Sequence, residues 1–187
     1  MRKIAIFASG NGSNFEALAK GCLSGEIDAS VAFCLTDKPG AYVVERARRL
    51  NIPVYEISPK DFSDKKHYEE RVLQLLEEHG VEMIFLAGYM RLIGNVLLEA
   101  YPHAIINIHP SLLPAFPGLD AIGQAMEYGV KVFGVTIHYV DESLDGGKII
   151  AQKAFNYDGN DRNELEPMVH SLEHRLYVET AAKLVSD

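Results

Sequence analysis

Ile4-Ala5-Ile6-Phe7-Ala8-Ser9-Gly10-Asn11-Gly12-Ser13-Asn14 is the stretch that decides the fold. It opens with an unbroken apolar run, Ile4 to Ala8, the pattern of a strand buried on both faces of a parallel sheet. Gly10 and Gly12 then allow a tight turn, and Phe15, Leu18 and Ala19 recur at helical spacing. Strand, glycine-rich turn and helix in that order point a helix N-terminus and its free backbone N–H groups at an anion. The stretch is not a dinucleotide fingerprint, because Phe15 stands where the third glycine belongs, and no Gly-Lys-Ser/Thr follows to make a phosphate loop of the nucleotide-triphosphatase kind. A plain tight turn and a phosphate cradle are both open readings of it.

Downstream the same alternation repeats. Val31 to Leu35 reads as a second strand ending at Thr36-Asp37, with Asp37 taken as a turn residue before Lys38-Pro39-Gly40. Ala41 to Leu50 has helical spacing, Val54 to Ile57 a short strand, and Ser63 to His79 an amphipathic helix stopped by Gly80. Met83 to Ala87 is another apolar strand, leading into Gly88-Tyr89-Met90-Arg91, and a helix from about Gly94 to Ala100 precedes the strand that begins at Ala104. This order predicts an α/β fold with an open, mostly parallel sheet, helices on both faces and right-handed crossovers. A helix after Gly118 stops at Gly129, and the strands Val132 to Val140 and Ile149 to Phe155 are expected to pair antiparallel across the loop Asp141–Gly147. Glu164 to Val185 closes the chain as a helix. No repeat or linker interrupts it, so residues 1–187 are expected to form one domain.

Composition narrows the function. Of 187 residues 48% are hydrophobic and 24% charged, as in ordinary globular proteins, and the net charge of -8 argues against a nucleic-acid partner. No apolar run approaches the ~20 residues of a membrane span, so the default expectation is a cytoplasmic protein. Cys22 and Cys34 lack metal-ligand spacing and read as reduced thiols. A monomer and a homodimer fit the sequence equally well.

The chemistry collects around Ile106-Asn107-Ile108-His109-Pro110-Ser111-Leu112-Leu113-Pro114-Ala115-Phe116-Pro117-Gly118. In an extended chain Asn107 and His109 share a face, and the prolines and glycine then shape a stiff loop. Ligands of open α/β sheets bind beyond the carboxyl ends of the strands. Asn107 offers a neutral donor to an oxyanion, and a carboxylate such as Asp145 beside His109 would favour the imidazolium. That set suits attack on a carbonyl without an enzyme nucleophile, since Ser111 has no G-x-S-x-G surroundings. Two other readings stand: polar residues that merely end a strand, and a two-histidine, one-carboxylate metal site from His109, His138 and Asp145. His67, His79 and His103 receive no role.

Asn107-Ile108-His109-Pro110-Ser111-Leu112-Leu113-Pro114, joined to Leu144-Asp145-Gly146, resembles the formyltransferases that use 10-formyltetrahydrofolate. The resemblance implies their Rossmann-like formyltransferase fold, with catalytic Asn107, His109 and Asp145 and no metal. Ser9 to Asn14, Phe116-Pro117-Gly118 and Leu172-Glu173-His174-Arg175-Leu176-Tyr177 resemble the branch of purine biosynthesis that formylates phosphoribosylglycinamide. The tRNA-directed branch has Arg-Gly, and the deformylase branch Lys-Gly, where Pro117-Gly118 stands here. Two small-molecule partners are thus implied, phosphoribosylglycinamide and 10-formyltetrahydrofolate. Gly12, Ser13 and Asn14 would hold the phosphate, and Glu173 with His170 beside it the ribose. Met90, Arg91, Leu92 and Ile93 would line the folate pocket together with Asn107, and Asp141, Glu142, Ser143, Leu144 and Asp145 would close over the pterin. Lys65 falls where the family often has an arginine near the folate, and Lys148 stands where a proline is usual. The rival readings are a formyltetrahydrofolate deformylase, with water as the acceptor, and a binding module without turnover.

Overall fold

The computed structural model describes residues 1–186. The first half of the chain contains β1 (Arg2–Phe7), α1 (Ser13–Ser24), β2 (Ala29–Thr36), α2 (Tyr42–Arg49), β3 (Val54–Glu56) and α3 (Lys65–Glu78). The second contains β4 (Met83–Leu86), α4 (Asn95–Ala100), β5 (Ile105–His109), α5 (Ala121–Tyr128), β6 (Val132–Tyr139), β7 (Ile149–Asn156) and α6 (Arg162–Ser186). The expected elements are all present, with ends moved by a few residues. A short 3-10 turn, Pro59–Asp61, was not legible in the sequence.

The strands make one seven-stranded sheet in the order β3-β2-β1-β4-β5-β6-β7. β1 lies inside it, between β2 and β4, and is covered on both faces. Ile4 and Ile6 pack with Phe15, Leu18, Val43 and Leu176 of α1, α2 and α6, while Ala5 and Phe7 pack with Tyr68, Val72 and Leu76 of α3 and Leu97 of α4. Alternate side chains of a strand point to opposite faces, so two apolar faces require an unbroken apolar run. From β1 the chain builds outward first through β2 and β3, then on the other side through β4 and β5. The strand order therefore reverses between β1 and β4, the position at which such sheets open a crevice.

β6 and β7 pair antiparallel as expected, and β6 is also antiparallel to β5, setting Asn107 opposite His138 and His109 opposite Thr136. β4 pairs with β5 only as far as Asn107, which faces Leu86. Ile108 and His109 consequently run past the end of β4 with that side open. The buried Tyr177 Oη of α6 lies 2.8 Å from Leu86 O and 3.1 Å from Ile106 O, so one hydroxyl braces the ends of β4 and β5. Cys22 and Cys34 are free, and burial pushes their thiols up to about 11 and about 12. Among the described residues no helix is long and apolar enough to cross a membrane.

Candidate active site

A cavity of about 770 Å³ opens at the strand-order reversal. Its wall gathers the turn after β1 (Gly12, Ser13, Asn14), the segment after β4 (Met90, Arg91, Leu92, Ile93), and Asn107 and His109 of β5. The loop after β6 (Asp141, Glu142, Ser143, Leu144, Asp145) and His170 and Glu173 of α6 complete it. Gly12 and Glu173, 161 positions apart in the chain, thus face one space. Lys65 is the expected site residue that the wall does not include. It sits in the first turn of α3, where its ammonium lies 3.9 Å from Glu69 Oε1 one helical turn on. Glu69 itself is buried, accepting from the N–H groups of Gly94 and Leu97. The Lys65 side chain also lies beside Gly94, the residue after the cavity-lining Ile93.

His109 is held from two sides. Its Nε2 lies 2.8 Å from Phe116 O, which can only accept, so Nε2 carries the hydrogen. Its Nδ1 faces Asp145 Oδ2 at 3.6 Å. The same Oδ2 accepts from Gly118 N–H at 2.8 Å. The proline-rich loop thereby positions both members of the pair: Phe116 holds the imidazole and Gly118 the carboxylate. Asp145 has φ 52°, a left-handed conformation that Asp tolerates better than most side chains. A side chain on Gly147 would run into Tyr139 O, so the loop passes too close to β6 for any other residue. Such a constrained backbone is characteristic of sites where a side chain must be aimed.

In the sequence His138 stood beside His109 and Asp145 only as a metal alternative, with no sign of its contact with Asn107. The His138 Nδ1 donates to Tyr139 O at 2.9 Å, which leaves Nε2 to accept from Asn107 Nδ2 at 3.3 Å. Burial pushes the His138 pKa down, keeping the ring neutral and able to accept. One hydrogen of the Asn107 amide is thus occupied and its plane oriented. The signal lay in the β5–β6 register, which sets His138 directly across from Asn107. His109, His138 and Asp145 do approach one another, with Asp145 Oδ1 3.9 Å from His138 Nε2. Nitrogens of both rings are committed to backbone carbonyls, and among the described residues no group of three or more His, Cys, Asp or Glu is disposed to hold a metal ion.

The two ends of the cavity differ in character. At one end Gly12 caps α1 with φ 79°, and a Cβ added there would meet Val43 Cγ2 of α2 at 2.5 Å. Asn14 Nδ2 lies 3.4 Å from Glu173 Oε2, while Asn14 Oδ1 is buried with no partner within the described chain. Glu173 Oε2 also takes His170 Nδ1 at 2.8 Å, and this hydrogen bond raises the His170 pKa. The other end is rimmed by exposed apolar side chains, Met90 and Leu92 at 58% each and Leu144 at 56%. Arg91 lies over the Tyr68 ring, 5.4 Å from its centroid. A polar, helix-capped end and an apolar rim on either side of Asn107 and His109 suit a phosphorylated ligand and a flat ring meeting at that pair.

Residues 2–181 match the formyl transferase family. The chain is 53% identical over 186 residues to the phosphoribosylglycinamide formyltransferase of Bacillus subtilis (strain 168), which covers 99% of this chain and 95% of that protein. The crystal structure of phosphoribosylglycinamide formyltransferase from Bacillus halodurans superposes with a TM-score of 0.95 at 51% identity, covering 100% of this chain and 96% of that one. Glycinamide ribonucleotide transformylase 1 from Geobacillus kaustophilus gives 0.96 at 48% identity, with 99% of each chain covered. Likeness along nearly the whole length, on top of this sheet order and this gathering of side chains, makes the chain a member of the formyl transferase family.

Proposed function

We propose that this enzyme transfers a formyl group from 10-formyltetrahydrofolate to the amine of phosphoribosylglycinamide, a step of purine biosynthesis. The observation that carries this reading is the convergence of Asn107, His109 and Asp145 between a helix-capped polar end and an apolar rim of one cavity. The ribonucleotide's phosphate lies at Gly12, Ser13 and Asn14, its ribose at Glu173 and His170, and the pterin against Leu92 and Ile93 under the Asp141–Asp145 loop. The glycinamide amine then attacks the formyl carbon directly. As the carbonyl oxygen becomes an oxyanion, the Asn107 hydrogen not engaged by His138 donates to it. The imidazolium of His109 supplies positive charge beside it. Collapse of the tetrahedral species breaks the carbon–N10 bond, and the proton lost by the amine reaches N10 through water held at Asp145.

One assay tests the reading against its rivals. The enzyme is incubated with 10-formyltetrahydrofolate, with and without phosphoribosylglycinamide, and formyl loss is followed. Loss that requires the ribonucleotide supports the transferase, loss without it a deformylase, and no loss a binding module.

Two predictions probe the phosphate end. Gly12→Ala forces a left-handed Cβ against Val43 of α2, strain on the order of 1–3 kcal/mol, so the ribonucleotide's KM is expected to rise about tenfold or more while that of the formyl donor moves less than about twofold. Equal rises for both substrates would show a general loosening and take support from the phosphate assignment. The second concerns pH. The Glu173 hydrogen bond, reinforced by the charges of Glu173 and Glu166 and opposed by burial, lifts His170 above the ordinary 6.5. The imidazolium therefore persists above that pH, and ribonucleotide binding should be strongest below the raised pKa and weaken as pH rises through it. Comparing log KM with pH for the enzyme and for His170→Asn cancels the ligand's own phosphate ionisation. A difference independent of pH would show that the charge of His170 plays no part in binding, and no difference at any pH would remove His170 from the site.

A further inference from the structure

Three loops leave the carboxyl ends of the adjacent strands β2, β1 and β4, and one oxygen joins them. Ser9, the residue before the glycine-rich turn, is 3% exposed, and its Oγ donates to Asp37 Oδ1 at 2.5 Å. The same Oγ accepts from Met90 N–H at 2.9 Å, and Ser9 N–H donates to Gly88 O at 3.0 Å. Asp37, at the end of β2, is 7% exposed and is not part of the cavity wall. Its position is that of the ribose-binding acid of dinucleotide folds, yet Oδ1 is turned inward and engaged by Ser9. On the far side Tyr89 Oη lies 2.9 Å from Tyr68 Oη, under the Arg91 guanidinium, so Tyr89 to Arg91 is anchored as well.

We propose that Ser9 and Asp37 form a buried strut that sets the spacing between the phosphate turn and the Met90–Ile93 segment, making Ser9 a positioning residue for both substrates at once. The assignment of ligands to those two loops rests on the function proposed above; the strut itself rests on the hydrogen bonds. Ser9 uses its single hydrogen on Asp37 and a lone pair on Met90. Its removal takes the partner from the buried Asp37 Oδ1 and from the part-buried Met90 N–H at the hinge of both loops. Asp37 serves as a hydrogen-bond acceptor that orients the hydroxyl, a task an amide oxygen performs equally well. Ser9 lines the cavity, but neither residue hydrogen-bonds to Asn107, His109 or Asp145, so the chemical step is left alone.

The test uses Ser9→Ala, Asp37→Leu, Asp37→Asn and the Ser9→Ala/Asp37→Leu pair in the full chain. Ser9→Ala is expected to raise both KM values by about two- to tenfold, the range of one hydrogen bond, with kcat within about twofold. Asp37→Leu should do the same, Asp37→Asn should keep both constants close to those of the parent, and the double variant should be no worse than either single one, since both break the same link. Hydrogen exchange of the Met90 amide, followed by NMR without any ligand, should speed up in Ser9→Ala and Asp37→Leu and stay slow in Asp37→Asn. Unchanged Met90 protection in Ser9→Ala overturns the strut whatever the substrates are. Faster exchange with only one KM affected, or Asp37→Asn as damaging as Asp37→Leu, overturns the shared positioning role. Failure of the substrate assignment alone would leave the exchange result standing and show itself in the formyl-release assay instead.

Discussion

Alanine in place of Asn107 is expected to lower kcat by roughly 10²–10³, the loss that follows removal of one oxyanion donor. The amide is poised for this: His138 Nε2 holds one hydrogen at 3.3 Å and fixes the plane, and the other is free for the substrate. Charge on the formyl oxygen develops only on the way to the tetrahedral species, so the KM for the formyl donor should change far less than kcat. His109→Ala should lose a comparable factor, since it removes the positive centre facing the same oxygen. It also frees Phe116 O, which His109 Nε2 now occupies, so some of its loss will come from the loop. Single-turnover rates at saturating substrate measure both effects. Near-full turnover in either variant would take that residue out of the mechanism.

Asp145→Asn should cost roughly 10²–10⁴ in rate, the span of a positioned proton-transfer group. The amide keeps the shape of the side chain, and its oxygen can still accept from Gly118 N–H, now 2.8 Å from Asp145 Oδ2. What disappears is the negative charge 3.6 Å from His109 Nδ1, and with it the path for the amine's proton. Lowering the pH does not rebuild that path, so little activity should return in acid. Protection of the Gly118 amide is the control for loop structure. A variant that keeps both the loop and the rate would show that Asp145 has no part in the chemistry.

Much of the frame was legible before any coordinates. Apolar runs report strands buried on both faces, and helical spacing reports a single buried stripe, because each depends only on what lies immediately around a residue. Ile4 to Ala8, Met83 to Ala87 and the run into Asn107 were therefore readable one at a time, and their alternation with helices implied a parallel sheet. The Asn107/His109 pair was readable for the same reason, since a spacing of two along a strand puts both side chains on one face.

Only the tertiary structure decided the pairings across the chain. Asp145 meets His109 because the proline-rich loop binds one through Phe116 O and the other through Gly118 N–H. His138 orients Asn107 because β6 runs antiparallel to β5 in one particular register. Asp37 looked like a turn residue and proved to be a buried partner of Ser9, while Lys65, outside the cavity wall, meets Glu69 one helical turn on. Gly12 follows the same rule: its sequence suggests a close approach to a ligand, yet a Cβ there points at Val43 of α2. Register, loop closure and the direction of a Cβ follow from how all the elements pack together, and local periodicity carries no information about them.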